Sequence, residues 1–248
     1  VVFLKTPDEI QRIEYANKLG AKLLQECYEY IKPGITTIEL EQIAEKFCAD
    51  NSVLPSFKGY QGFPFCLCIS LNEEIVHGFP SERIIKEGDI ISVDFGVNRN
   101  GYFSDHAFTK CVGKVSKTAK KIVKVTEECL YEGIKEARPG NRIYDISRAV
   151  QSHAERNNFD VVRDYCGHGV GLAVHEDPKI LNYVSNGINW KLRPGMVIAI
   201  EPMLVEGSYG VEIKPNGWTV VTKDRKLSAH FEKSIAILED GPKILSKL

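Results

Sequence analysis

The stretch D-F-G-V-N-R-N-G-Y-F-S-D, residues 94–105, begins and ends on a carboxylate. Apolar residues flank Asn100-Gly101, a dipeptide that accepts positive φ at both central positions of a tight turn, so the stretch predicts a β-hairpin. A two-residue loop pairs positions whose numbers sum to 201. Asp94 then faces Ala107, Asp105 faces Gly96, and side-chain alternation puts all four on one face. The two carboxylates stand diagonally, roughly 6–8 Å apart at Cβ, close enough to bridge a cation. Small Gly96 and Ala107 leave that space open, whereas a three-residue loop would send the carboxylates to opposite faces.

Three further segments carry polar groups that an ordinary strand or turn does not need. Gly167-His168-Gly169-Val170-Gly171 lacks the spacing of a phosphate loop and reads as backbone thinned by glycine so that His168 reaches a cleft. Glu201 ends the apolar run Val197-Ile198-Ala199-Ile200, and Glu232 opens another run to Ile237. Asp94, Asp105, His168, Glu201 and Glu232 together give four carboxylates and one imidazole. Four negative charges neutralise two divalent cations. With a single ion the surplus carboxylates repel, and protonation must relieve them. An oxygen-rich set with one imidazole favours Mn(II), Fe(II), Co(II) or Zn(II). Two ions about 3.5–4 Å apart would hold a bridging water and lower its pKa toward ~7, which is hydrolase chemistry. His77 and His175 remain as imidazoles that can donate to a substrate carbonyl or a developing oxyanion.

The elements that must position these groups follow from the rest of the chain. Its 248 residues, 43% hydrophobic, suffice for one large domain or two intimately packed halves. A net charge of −1 gives no general attraction to nucleic acid or an anionic membrane. No apolar run approaches the ~20 residues of a membrane span, and no signal-peptide pattern opens the chain. Seven scattered cysteines without a Cys-x-x-Cys suit reduced thiols in a cytosol-like compartment. Cys66 and Cys68 are expected on one face of a strand, as core. The lysines at 114, 117, 120, 121 and 124 read as a solvated helix face.

Thr6-Pro7-Asp8-Glu9 is a capped helix start, with Ile10, Ile13, Leu24, Cys27 and Ile31 at helical spacing around Gly20. A second helix opens at Thr36-Thr37-Ile38-Glu39 and runs to about Asp50. Cys66 to Val76 reads as a strand pair. Helices then recur from Ser116 to Ala137 and from Tyr144 to Arg156. Strands are expected at Val161–Tyr165, Met196–Pro202, Gly210–Ile213, Trp218–Thr222 and His230–Ile237. Residues 31–44 and 137–150 align without gaps around a shared Pro-Gly stop. Helix, Pro-Gly, helix and strands, given twice, suggest pseudo-twofold halves of about 1–110 and 111–248 within one domain, with a site between them. The class is α+β, with helices covering one side of a curved, mostly antiparallel sheet.

The motifs SLNEEIVHGFP, DFGVNRNGYFSD, GHGVGLAVHEDP, IAIEPM and NGWTVVT…AHFEKS, in this order, resemble those of the bacterial type I methionine aminopeptidases, which have the pita-bread fold. The resemblance covers the chain from about Lys5 onward. It implies that Asp94, Asp105, His168, Glu201 and Glu232 hold two divalent ions (Fe, Mn, Co or Zn), with Asp105 and Glu232 bridging them. A metal-bridged hydroxide would attack the scissile carbonyl, Glu201 would also move protons, His175 would stabilise the tetrahedral intermediate, and His77 would contact the substrate. The implied substrate is the N-terminal Met of nascent or newly made proteins with a small second residue. The Met pocket would map to Phe57, Tyr60, Phe63, Cys68, Val174 and Trp218. The family also implies a cytoplasmic monomer, with the ribosome a candidate partner and no role for DNA or membrane. Three residues depart from its usual pattern: Phe57 and Val174 in the pocket, and Lys233 after Glu232. The alternatives are an X-Pro aminopeptidase or prolidase, which usually carries an extra N-terminal domain, and a non-catalytic pita-bread module binding peptide or RNA.

Overall fold

The computed structural model describes residues 1–246. Helix α1, Pro7–Tyr30, starts where Thr6 accepts from the Glu9 N–H while the Glu9 carboxylate accepts from the Thr6 N–H, satisfying two amides the helix itself leaves open. Helix α2, Thr37–Asp50, uses Glu39 in the same way, its carboxylate accepting from the Thr36 N–H at 2.6 Å. Ser116 caps helix α3, Lys117–Glu136, and helix α4 is Ile143–Arg156.

The main sheet has eight strands: β1 Cys68–Leu71, β2 Ile90–Phe95, β3 His106–Cys111, β4 Gly167–Gly169, β5 Glu176–Ile180, β6 Val197–Ile200, β7 Glu232–Leu238 and β8 Gly241–Ile244. Every pairing is antiparallel, in the order β5-β4-β6-β7-β3-β2-β1, with β8 beside β7. The α+β reading holds. Period-two alternation divides the sheet's residues between two faces. Ile91, Val93 and Phe95 pack on α1 and α2, and Ile198, Ile200, Ile235 and Ile237 pack on α3 and α4. Asp94, Ala107, Ala199 and Glu232 fall on the other face. Gly20 lets α1 sit close to the sheet: a Cβ there would lie 2.6 Å from His106 Nε2.

The hairpin register is the expected one, with Asp94 opposite Ala107 and Asn98 opposite Phe103. Asn100 and Gly101 take φ of 55° and 83°. The ladder breaks at Gly96, where a Cβ would meet the Ser104 carbonyl at 2.6 Å. The tip then joins Leu54–Pro55 in a separate small sheet.

Three local expectations need correction. Cys66 lies before β1, so it does not share a strand with Cys68. The 66–76 segment is not one hairpin in one sheet, because Glu74–Val76 leaves β1 to pair with Val220–Thr222. The strand expected at Val161–Tyr165 is only Asp160–Val161. Gly167–Gly169 forms a sheet strand, and its glycines serve close pairing: a Cβ at Gly167 would lie 2.3 Å from the Ala199 carbonyl, and one at Gly169 2.3 Å from that of Asp177. Among the described residues no helix is long and apolar enough to cross a membrane.

Candidate metal centre

The register sets Cys68, Asp94, Ala107 and Glu232 in one row across β1, β2, β3 and β7. With strands about 4.8 Å apart, Asp94 and Glu232 flank the small Ala107. Asp105, just before β3, and Glu201, just after β6, close on this row. The donor atoms of Asp94, Asp105 and Glu232 lie within 4.8 Å of one another, as do those of His168, Glu201 and Glu232 and those of Asp105, His168 and His175. His168 on β4 faces Ala199. Its Nδ1 donates to the Gly169 carbonyl at 2.9 Å, which leaves the Nε2 lone pair 3.5 Å from Glu201 and 3.6 Å from Asp105.

Asp94 Oδ1, Asp105 Oδ1 and Glu232 Oε1 are buried without a hydrogen-bond partner. Burial and mutual repulsion hold the carboxyl groups of Asp94, Glu201 and Glu232 well above the usual carboxylate range, and burial lifts Asp105 to about 7. Burial and the adjacent His175 push His168 down to about 3, so it is a neutral imidazole at neutral pH. Unpaired carboxylate oxygens converging with a neutral imidazole fit hard divalent cations.

The electrostatics predict how the metal-free protein responds to pH. Carboxyls whose folded pKa is raised bind more protons folded than unfolded, so their contribution falls as pH rises toward and past about 7. The buried imidazoles of His77, His168 and His230, lowered to about 4, 3 and 3, act with the opposite sign, but only below about 6.5. The melting temperature of chelator-treated protein should therefore drop between about pH 6.5 and 8, and Mn(II) should cancel the drop. A flat or rising profile without metal would contradict this account of the cluster.

The cluster opens into a cavity of about 280 Å³. Phe57, Tyr60, Phe63, Cys68 and Trp218 line it, with Phe63 and Trp218 edge to face at 5.2 Å. Val174 packs in the same apolar group but turns to a neighbouring groove rather than lining the cavity. His175 stands at the mouth, open to solvent, 4.3 Å from the His168 ring, with Nδ1 3.0 Å from the Tyr60 hydroxyl. His77 lines the wall in a left-handed conformation, φ 58°, edge-on to Tyr165. Backbone strain of this kind at a non-glycine residue is most often held at functional sites.

Metallopeptidase family M24 matches residues 11–239. The chain belongs to this family. Its full length is 49% identical to all of methionine aminopeptidase 1 of Bacillus subtilis, and 99% of it is 48% identical to 99% of the Clostridium perfringens methionine aminopeptidase. The crystal structure of the Thermotoga maritima methionine aminopeptidase superposes over the whole of both chains with TM-score 0.97 at 44% identity. The Pyrococcus furiosus prolidase shares the M24 fold at TM-score 0.80 and 26% identity, but the match takes in only 65% of that chain. The pita-bread architecture expected from the motifs is thus the observed one.

Sequence reasoning missed one imidazole in this M24 site. His230 Nε2 lies 3.6 Å from Glu201 and 3.8 Å from Glu232, buried and without a hydrogen-bond partner. It is held by Thr109, whose hydroxyl accepts from the His230 N–H and donates to its carbonyl. The signal was present: a residue two before Glu232 projects to the same side of an extended chain.

Proposed function

We propose that the chain is a methionine aminopeptidase working as a single catalytic unit over residues 1–248, and that it removes N-terminal Met from newly made proteins with a small second residue. The observation that carries this reading is the junction of two surfaces. Asp94, Asp105, His168, Glu201 and Glu232 line a cavity whose other wall is aromatic. Asp94, Asp105, His168, Glu201 and Glu232 would hold two divalent cations, which supply Lewis acidity and an activated water when bound.

The side chains around them do the rest. The Met thioether lies against Phe63 and Trp218, where sulfur–aromatic contacts contribute about 0.3–1.5 kcal/mol each. Tyr60 donates its hydroxyl proton to His175 Nδ1, so His175 Nε2 carries a proton toward the scissile carbonyl oxygen. That contact strengthens as negative charge grows on the oxygen. His77, neutral because burial lowers its pKa to about 4, donates to the peptide on the leaving side. Glu201 takes the proton of the attacking water and returns it to the leaving amine. The enzyme acts in the cytoplasm as a monomer, with chains emerging from the ribosome as its substrate source.

A peptide panel tests the substrate class. The metal-loaded protein should cleave Met-Ala-Ser, cut Met-Leu-Ser far more slowly and leave Ala-Pro-Ala intact. Cleavage of Ala-Pro-Ala in preference to Met-Ala-Ser would move the chain to the X-Pro branch of the family.

A further inference from the structure

On the helix side of the main sheet a second cavity, about 440 Å³, lies between α1, α3 and strands β3 and β7. Its floor is the cross-strand pair His106 and Lys233. Each follows a carboxylate of the metal cluster by one residue, so alternation points it to the opposite face. His106 is 2% exposed, and among the described residues neither ring nitrogen has a partner in hydrogen-bond geometry. Ser246 Oγ is likewise buried, with no partner among the described residues. Half-buried Lys233 forms no ion pair among the described residues. Glu232 borders the cleft, but its carboxylate belongs to the other face.

Buried polar groups are ordinarily satisfied, and a cation withdrawn from water favours an anion. Apart from Gln25 the rest of the cleft is apolar, with Leu24, Phe108 and Ile244 as walls and the exposed rings of Tyr28 and Tyr131 at its mouth. The volume falls in the range of small-molecule sites. We propose that this cleft binds a small monocarboxylate with an apolar body. Its carboxylate pairs with Lys233 and accepts from Ser246 or the His106 N–H, and its tail lies along the walls. One cation on the floor matches one negative charge, which separates this ligand from a phosphate dianion. The site stands apart from the metal cluster and from the activity assigned to it.

The test is calorimetric titration of the metal-loaded protein with hexanoate, with acetate and hexylamine as controls. Hexanoate should bind at least about tenfold more tightly than acetate, and hexylamine should not bind, because tail burial and the ion pair are both required. Lys233→Met should weaken hexanoate at least about tenfold. Ala21→Leu, which fills the cleft from α1 and is remote from the carboxylates, should do the same. If both variants bind hexanoate as the unaltered protein does, the ligand sits on the metals and the proposal fails. It also fails if hexanoate does not bind. Should Lys233→Met fold poorly, the Ala21→Leu result decides alone.

Discussion

Asp105→Asn should lower kcat/KM for Met-Ala-Ser by at least about 10³-fold, a loss of roughly 4 kcal/mol of transition-state stabilisation, while leaving the fold intact. Asp105 is 3% exposed, and its Oδ1 has no hydrogen-bond partner. Its donor atoms approach Asp94 and Glu232 on one side and His168 on the other, so its loss opens both halves of the cluster together. The amide keeps the shape but not the charge, and four carboxylates are what balance two divalent ions. The same substitution removes one source of repulsion from the neighbouring carboxylates. Metal-free Asp105→Asn should therefore melt at or above the temperature of the metal-free parent near pH 7.5. Glu232→Gln should behave alike. Near-normal turnover in either variant at saturating metal would refute the assignment of these carboxylates.

The second large effect is expected at His175. Replacing it with Ala should lower kcat by about 10²–10³-fold and change KM by less than about threefold, as for loss of a donor to a developing oxyanion. The position supports this asymmetry. Tyr60 orients the ring through Nδ1, and the ring stands beside His168 at the cavity mouth, not within the aromatic wall that would hold the Met side chain. Tyr60→Phe should then give a smaller fall in kcat, because the ring keeps its place but loses the partner that fixes its tautomer. A rise in KM alone for His175→Ala would make the residue a substrate contact only.

What could be read in advance depended on whether local chemistry or distant pairing decided the outcome. The Asn100-Gly101 turn was legible because positive φ at both positions leaves few residue choices, and strand alternation then fixed the relation of Asp94 to Asp105. The α1 start was legible because Thr6 and Glu9 satisfy one another's amides locally. By contrast, β4 is a strand of Gly167, His168 and Gly169, and only its tight approach to Ala199 and Asp177 explains the composition. Glu74–Val76 looked like a partner for β1, yet pairs with Val220–Thr222, about 145 residues away, a choice that local pattern does not encode. His230 was missed because it does not belong to the set of four carboxylates and one imidazole that charge balance made complete. Val174, assigned to the pocket by resemblance, packs with Phe57, Phe63 and Cys68 and borders the adjoining groove.

The dinuclear assignment is tested by the rate of Met release from Met-Ala-Ser as Mn(II) or Fe(II) is added back anaerobically to chelator-stripped protein. No release is expected without metal, and the rate should rise and saturate by two equivalents, with the Asp105→Asn variant inactive throughout. Full activity in the stripped protein, or no release under any metal, would contradict it.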